Sequence, residues 1–501
     1  MDALQQMITE ARREFAAGNL DEARLLCLAG LSEFPDTPPL LTVLGWIYAQ
    51  RNDACGAETT FRHALCHEPQ SFDAHSGLAA VLAAVDRHQE AEPHFARAVE
   101  IYAHDADTLF GYGSTLIALR HFDHAIEILE RTLRLEPSRV GAIHNLAIAH
   151  AQLGHWEQVV EDCGRAILLD SCASQSLLLR GMARVALGEF AAGWDDYDAR
   201  CRLRDDYARQ LGLGAWNGKS RIRSIVVVPE QGIGTQVMLA SCLNDLVARV
   251  PRVTIGCDVR LVGLLQRSFP NVTVVADGLL PALVKAGSYD ACIVAGSLPR
   301  VFRRTAAAFA GSAYLASDAT RTAAWRERLR ELGPGLKVGV AWGGGPGKTD
   351  TAHRRTTPQE WWPLATVPNV HWVNLQFDVP TGEVHEWRQL AGARFHDWSD
   401  FDRKHDLENF AALVGELDLV ISVVNSTVHI AGALGTPTWT LVPAGGEWRW
   451  LASGEKCLWH NSVRLFRQQR LDDWRGVFNL LRSELTTLSR TSLSPRRKHA
   501  A

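Results

Sequence analysis

The sequence lacks the marks of a metal finger, a redox couple and a membrane protein. None of its ten cysteines stands in a CxxC pair, so neither a zinc knuckle nor a dithiol couple is indicated. Scattered through apolar surroundings, they read as small core residues in a reducing compartment. No stretch approaches about 18 consecutive apolar residues, so no membrane span is expected. The opening MDALQQMITEARREF is an amphipathic helix with acidic residues. It has no basic start, apolar run or small-residue cleavage site, and the expected location is the cytoplasm. Cationic excess is missing too: 52 Lys and Arg stand against 56 Asp and Glu, for a net charge of −4. That balance removes the electrostatic case for nucleic-acid binding. The end, SRTSLSPRRKHAA, is expected to be a short basic disordered tail (488–501).

What is present divides in two. A chain of 501 residues is too long for one core. A 34-residue period runs through its first two-fifths, with Pro35, Pro69 and Pro137 in phase and expected to stop the second helix of their units. Ala23, Ala57, Ala91 and Ala125 hold one small-residue position; Gly45, Ala79, Gly113, Ala147 and Gly181 hold another; Phe61 and Phe95 share a bulky one. Period and residue type together resemble the tetratricopeptide repeat, with about five and a half units over 4–207. Such arrays stack helix pairs into a solenoid whose concave groove takes a peptide or protein, although a dimerisation surface or spacer is the alternative. Trp194 and Tyr197 in the last unit are expected to cap the stack.

After 207 the period changes to short apolar runs alternating with helices. Runs at 224–229, 253–258, 272–277 and 290–296 are predicted parallel strands, and a Gly-Pro break follows at 333–334. A second series, 337–342, 371–377, 418–424 and 438–443, then begins. The expected fold is an α-solenoid followed by an α/β region of two doubly wound halves (208–333 and 334–487) with a ligand cleft at the facing strand ends.

Motifs spread over 194–474 carry a second resemblance. They include GWDDYDAR (193–200), PEQGIGTQ (229–236), DVRLVGLLQRSFP (258–270), VGVAWGGGPGKTDTAHRRTTP (338–358), VNLQFD (373–378), LDLVISVVNSTVHIAGALGTPTW (417–439) and EWRWL (447–451). In order and spacing they resemble bacterial glycosyltransferases of GT-B architecture, in the branch akin to the heptosyltransferases and O-GlcNAc transferases. The resemblance implies transfer of a sugar from a nucleotide-sugar held mainly by the C-terminal half, with inverting chemistry, onto an acceptor that the repeats select. With no DxD-like pair in a suitable loop, no metal or other cofactor is expected. A catalytically impaired scaffold that binds protein and nucleotide-sugar is the alternative.

The departing nucleotide gains negative charge, so the site must offer N–H groups or cations. The turn Asn425-Ser426-Thr427 and the helix behind it suit a phosphate, or else merely cap the helix. His429 is a candidate for a donor hydrogen bond, against a core-facing role. The loop from Trp342 and Gly343 through Lys348, Arg354 and Arg355 combines glycine with cations, as a phosphate cradle or a solvated surface loop. It lacks the first glycine of an ATPase phosphate loop at the required spacing. Gln376 is placed for a base or ribose contact. In the first half, Gly232 and Gly234 permit close approach of a substrate. The resembling families usually carry an aspartate after this glycine pair, proposed as general base in some members, and an acid in the Asn425 turn. This chain has Thr235, which takes no proton at neutral pH, and Val424-Asn425. Glu230 is the substitute base, or a structural carboxylate.

Overall fold

The computed structural model describes residues 2–171, 173–203, 211–344, 354–378 and 380–491. The chain forms two compact units, Met1–Ser176 and Leu177–Ala501.

The first unit is a helical repeat array. Ten helices run from Asp2–Ala16 to Trp156–Leu169, and an eleventh, Ser174–Ala186, crosses the division. Helices end at Glu33, His67 and Leu135, two residues ahead of Pro35, Pro69 and Pro137, because the residue before a proline leaves the helical region. The phased small residues are where helices touch: Ala23, Ala57, Ala91 and Ala125 are wholly buried. Phe61 shows why the pattern needs both sizes. A Cβ added to Gly45 would stand 2.7 Å from its ring, and one added to Gly77 2.3 Å away, so the aromatic knob fits only between two glycines.

The second unit holds two wholly parallel sheets. The first has four strands, β1 (Ser224–Val228), β2 (Arg252–Cys257), β3 (Val272–Ala276) and β4 (Ala291–Val294), in the order β3-β2-β1-β4. The second comprises β5 (Leu336–Ala341), β6 (Val370–Asn374), β7 (Phe395–His396), β8 (Leu419–Val423), β9 (Thr438–Val442) and β10 (Val463–Arg467), in the order β10-β9-β8-β5-β6-β7. Strands β1, β5 and β8 are buried at every position, which is why they read as unbroken apolar runs. The tryptophans 342, 361, 372 and 387 fill the core of the second sheet with Val338, Val340 and Ile421.

Several expectations need correction. β7 is only two residues long, and β10 alternates arginine with apolar residues, so neither offered an apolar run. The helix expected from 235 to 250 breaks at Ser241-Cys242 into Ile233–Ala240 and Leu243–Val247. The last helix, Arg475–Thr491, takes in 488–491, which had been assigned to the tail; the remainder lies outside the described residues. The repeat-like helix Phe190–Tyr197 belongs to the second unit, not to an array ending at 207. Trp194 accounts for this: its indole N–H donates to the Arg303 carbonyl at 2.9 Å, and its ring meets Trp448 and Trp459 edge-on. No helix among the described residues is long and apolar enough to cross a membrane.

Candidate functional site

The C-terminal ends of strands from both sheets open onto one cavity of about 530 Å³. After β1 it is lined by Gln231, Gly232, Ile233 and Gly234, and after β2 by Asp258 and Arg260. The second sheet adds Gly344 after β5, Phe377 and Asp378 after β6, and Val424, Asn425 and Ser426 after β8. Arg354, Arg403, Lys404 and Leu407 complete the wall. Four cations therefore face two carboxylates, in the crevice that parallel sheets reserve for ligands.

The helix Ser426–Leu434 starts at this wall. Asn425 caps it: Oδ1 accepts the Thr427 N–H at 2.9 Å, while Nδ2 donates to the Gly343 carbonyl at 3.3 Å. The cap leaves other first-turn N–H groups for an anion. Arg260 grips Asp258 with two 2.8 Å hydrogen bonds and donates to the Lys404 carbonyl at 3.0 Å, tying the first half of the site to the second. That grip holds the Asp258 carboxyl below its ordinary range. Arg403 donates to the Asn374 carbonyl at 2.8 Å and to Asp397 at 2.5 Å; burial pulls its pKa down. Lys404 pairs with Asp378 at 2.8 Å, and Arg354 pairs with Glu447.

Of the residues singled out from the sequence, Gly232, Gly234, Arg354, Asn425 and Ser426 line the cavity. The rest stand elsewhere. Gly234 has a packing duty as well, because a Cβ there would stand 3.0 Å from the Ser426 Cα and 3.1 Å from the His429 ring. Glu230 is buried against Arg200, whose Nε lies 3.0 and 3.2 Å from its two carboxylate oxygens. Thr235 is half-buried on the helix Ile233–Ala240. His429 is enclosed: its ring stacks on Trp450 with centroids 5.1 Å apart, and its Nδ1 is 3.3 Å from Nε2 of His460. Burial first, then His460 and Arg449, push its pKa well below the usual histidine value. Trp342 is wholly buried and donates to Glu383 at 2.7 Å. Arg355 pairs with Glu383 too. Gln376 is turned to the backbone, accepting the Gly343 N–H at 2.8 Å and donating to the Phe377 carbonyl at 3.0 Å. Thr427 is buried. Lys348 lies outside the described residues. The sequence reading passed over Arg260, Phe377, Asp378, Arg403 and Lys404. The first three fall just beyond strand ends, a position that by itself marks a site residue in this fold; Arg403 and Lys404 come from a charged run with no pattern of its own.

Residues 70–138 match the family model described as tetratricopeptide repeat. The N-terminal region carries tetratricopeptide repeats. Over 478 residues the chain is 29% identical to Protein FlbA of Caulobacter vibrioides (strain ATCC 19089 / CIP 103742 / CB 15), a match taking in 91% of this chain and 80% of that protein. Among solved structures it is similar to YrrB, described as a TPR protein with an unusual peptide-binding site, at 21% identity and a TM-score of 0.32, over 34% of this chain and 88% of that one. It is also similar to PilW, described as a widely conserved type IV pilus biogenesis factor, at 19% identity and a TM-score of 0.36, over 42% of this chain and 98% of that one.

The repeats form a scaffold suited to protein binding. A cavity of about 600 Å³ runs along successive helix pairs, with Trp46, Phe72 and Phe110 as aromatic walls and Asp73, Asp105 and Asp107 as acids. Burial first, then Asp107, raises the Asp105 pKa, so a cation docked here would relieve a crowded carboxylate.

Proposed function

We propose that the second unit is a glycosyltransferase acting on a nucleotide-sugar, and that the repeats recruit a protein or peptide acceptor. The observation that carries this reading is the convergence of cations and a helix N-terminus on the cavity at the strand ends of both sheets. A nucleoside diphosphate needs that combination. Arg260, Arg354 and Lys404 would neutralise the phosphate oxygens, the Ser426 end of the helix would supply N–H groups, and Phe377 offers an aromatic face for a base. In the transfer, the bond from the anomeric carbon to the phosphate oxygen breaks and its electrons leave with the nucleotide. The acceptor oxygen forms the new bond and gives up its proton. Asp258 is fully engaged by Arg260, which leaves Asp378 as the lining carboxylate best able to take that proton. The aromatic, acidic groove of the repeats favours an acceptor segment carrying Lys or Arg beside apolar residues.

A binding-only reading is favoured by one observation: Glu230, the substitute base, is locked onto Arg200 and does not line the cavity. One experiment separates the two. The full chain is screened by thermal shift against UDP-, GDP-, CMP- and ADP-linked sugars, and the stabilising donor, radiolabelled in its sugar, is then incubated with the chain and a cell lysate. Label passing to protein supports the transferase; stabilisation without turnover supports binding alone; no stabilisation by any donor refutes both.

A further inference from the structure

Away from both cavities, the repeats bring three ligating side chains together. Asp36 lies in the turn between the helices Leu20–Glu33 and Pro38–Gln50; His63 and His67 stand one turn apart on the helix Ala54–His67. Residues four apart share one face of a helix, so both imidazoles point the same way. Nε2 of His63 is 3.1 Å, and Nε2 of His67 3.3 Å, from the same Asp36 oxygen, Oδ1. The imidazole rings are 5.3 Å apart, and the three donor atoms all lie within 4.8 Å of one another.

We propose that Asp36, His63 and His67 form a binding site for a divalent transition ion of the zinc class. Zinc bonds of about 2.0–2.2 Å in tetrahedral geometry set neighbouring ligand atoms roughly 3.3 Å apart, the spacing of both histidine–aspartate pairs. Two imidazoles and one carboxylate suit Zn²⁺, Ni²⁺ or Cu²⁺; Mg²⁺ and Ca²⁺ favour oxygen alone. All three residues are exposed, so an ion enters without opening the fold, and water takes the fourth position. The ion ties the turn that opens the second repeat to that repeat's second helix. Binding only the folded array, it raises the array's stability in proportion to its occupancy. The proposal is independent of the transferase reading, because none of the three residues lines either cavity.

The test is calorimetric titration of the untagged, chelator-stripped full chain with ZnCl₂, together with Co²⁺ substitution followed by visible absorption. The expected result is saturable uptake of one ion per chain, tetrahedral Co²⁺ bands and a melting temperature that rises with Zn²⁺. Replacing either histidine (His63→Gln or His67→Gln) should weaken uptake by at least about tenfold, the scale reached when even an outer-shell partner of a metal site is removed. Asp36→Asn should weaken it as well. Circular dichroism checks that each variant keeps its helices. Absence of saturable uptake by the folded chain overturns the proposal, since the carboxylate then only hydrogen-bonds the two rings. Undiminished uptake by a folded His63→Gln, His67→Gln double variant overturns it too.

Discussion

Gly234 and Ser426, from the two sheet-bearing halves of the second unit, meet so closely that a Cβ on the glycine would stand 3.0 Å from the serine Cα. The neighbour is backbone and cannot swing aside. The helices Ile233–Ala240 and Ser426–Leu434 therefore form one edge of the cavity, held at a distance that only glycine permits. Gly234→Val should cost about 1–3 kcal/mol by overpacking, read from urea denaturation, and should also reduce the thermal shift given by any bound nucleotide-sugar. Unchanged stability would mean that the two helices separate readily.

Lys404 offers the cleanest test of the phosphate reading. Its pair with Asp378 is partly exposed, so Lys404→Ala should lower stability by at most about 1 kcal/mol. Loss of a charge-assisted hydrogen bond to phosphate should weaken nucleotide-sugar binding by roughly 10–100-fold. The difference from wild type should shrink with added salt, which a titration series in NaCl would follow. Equal affinities in the two proteins would remove Lys404 from the donor site.

Glu230 is assigned to structure. Its pair with Arg200 is deeply buried, and Ser297 and Asp198 extend the network from the guanidinium at 3.0 and 2.9 Å. Glu230→Ala leaves Arg200 short of a counter-charge and should cost about 3–5 kcal/mol in denaturant unfolding. Were Glu230 the general base instead, the variant would lose kcat and keep its stability.

The buried histidine pair makes a pH prediction. Burial pushes His460 down to about 3 and His429 well below 6.5. In the folded chain both rings stay neutral, whereas in the unfolded chain each takes a proton as pH falls below 6.5. The unfolded state thus binds more protons, and stability is complete above 6.5 and declines as pH drops toward the folded values. Each ring contributes roughly 1.4 kcal/mol per pH unit within that window. His460→Gln should flatten the slope of unfolding free energy against pH between about 6 and 4 by that amount. An unaltered slope would show that His460 is protonated in the fold.

Much of the architecture was legible because it is written locally. The 34-residue phase of Ala23, Ala57, Ala91 and Ala125 is the spacing at which helices touch, and unbroken apolar runs such as 224–228 mark strands buried on both faces. Where a strand is short or half-polar, as in β7 and β10, that local signal disappears. For the site, position along the chain was legible and side-chain direction was not. Asn425 and Ser426 face the cavity as the strand–turn–helix pattern implied, while His429, three residues further along the same helix, turns onto Trp450.

By itself, then, the sequence determined the repeats, the parallel strands and the turns at their ends, because periodicity and burial act over a few residues. Only the tertiary structure decided which charges share the cavity. Asp258, Asp378, Arg260 and Lys404 come from three separate connections and meet because two sheets aim their strand ends at the same space. Glu230, one residue before the lining Gln231, is taken out of that space by Arg200, thirty positions away in the chain. Such pairings depend on the electrostatics of burial, where a charge must find its counter-ion wherever the fold supplies one.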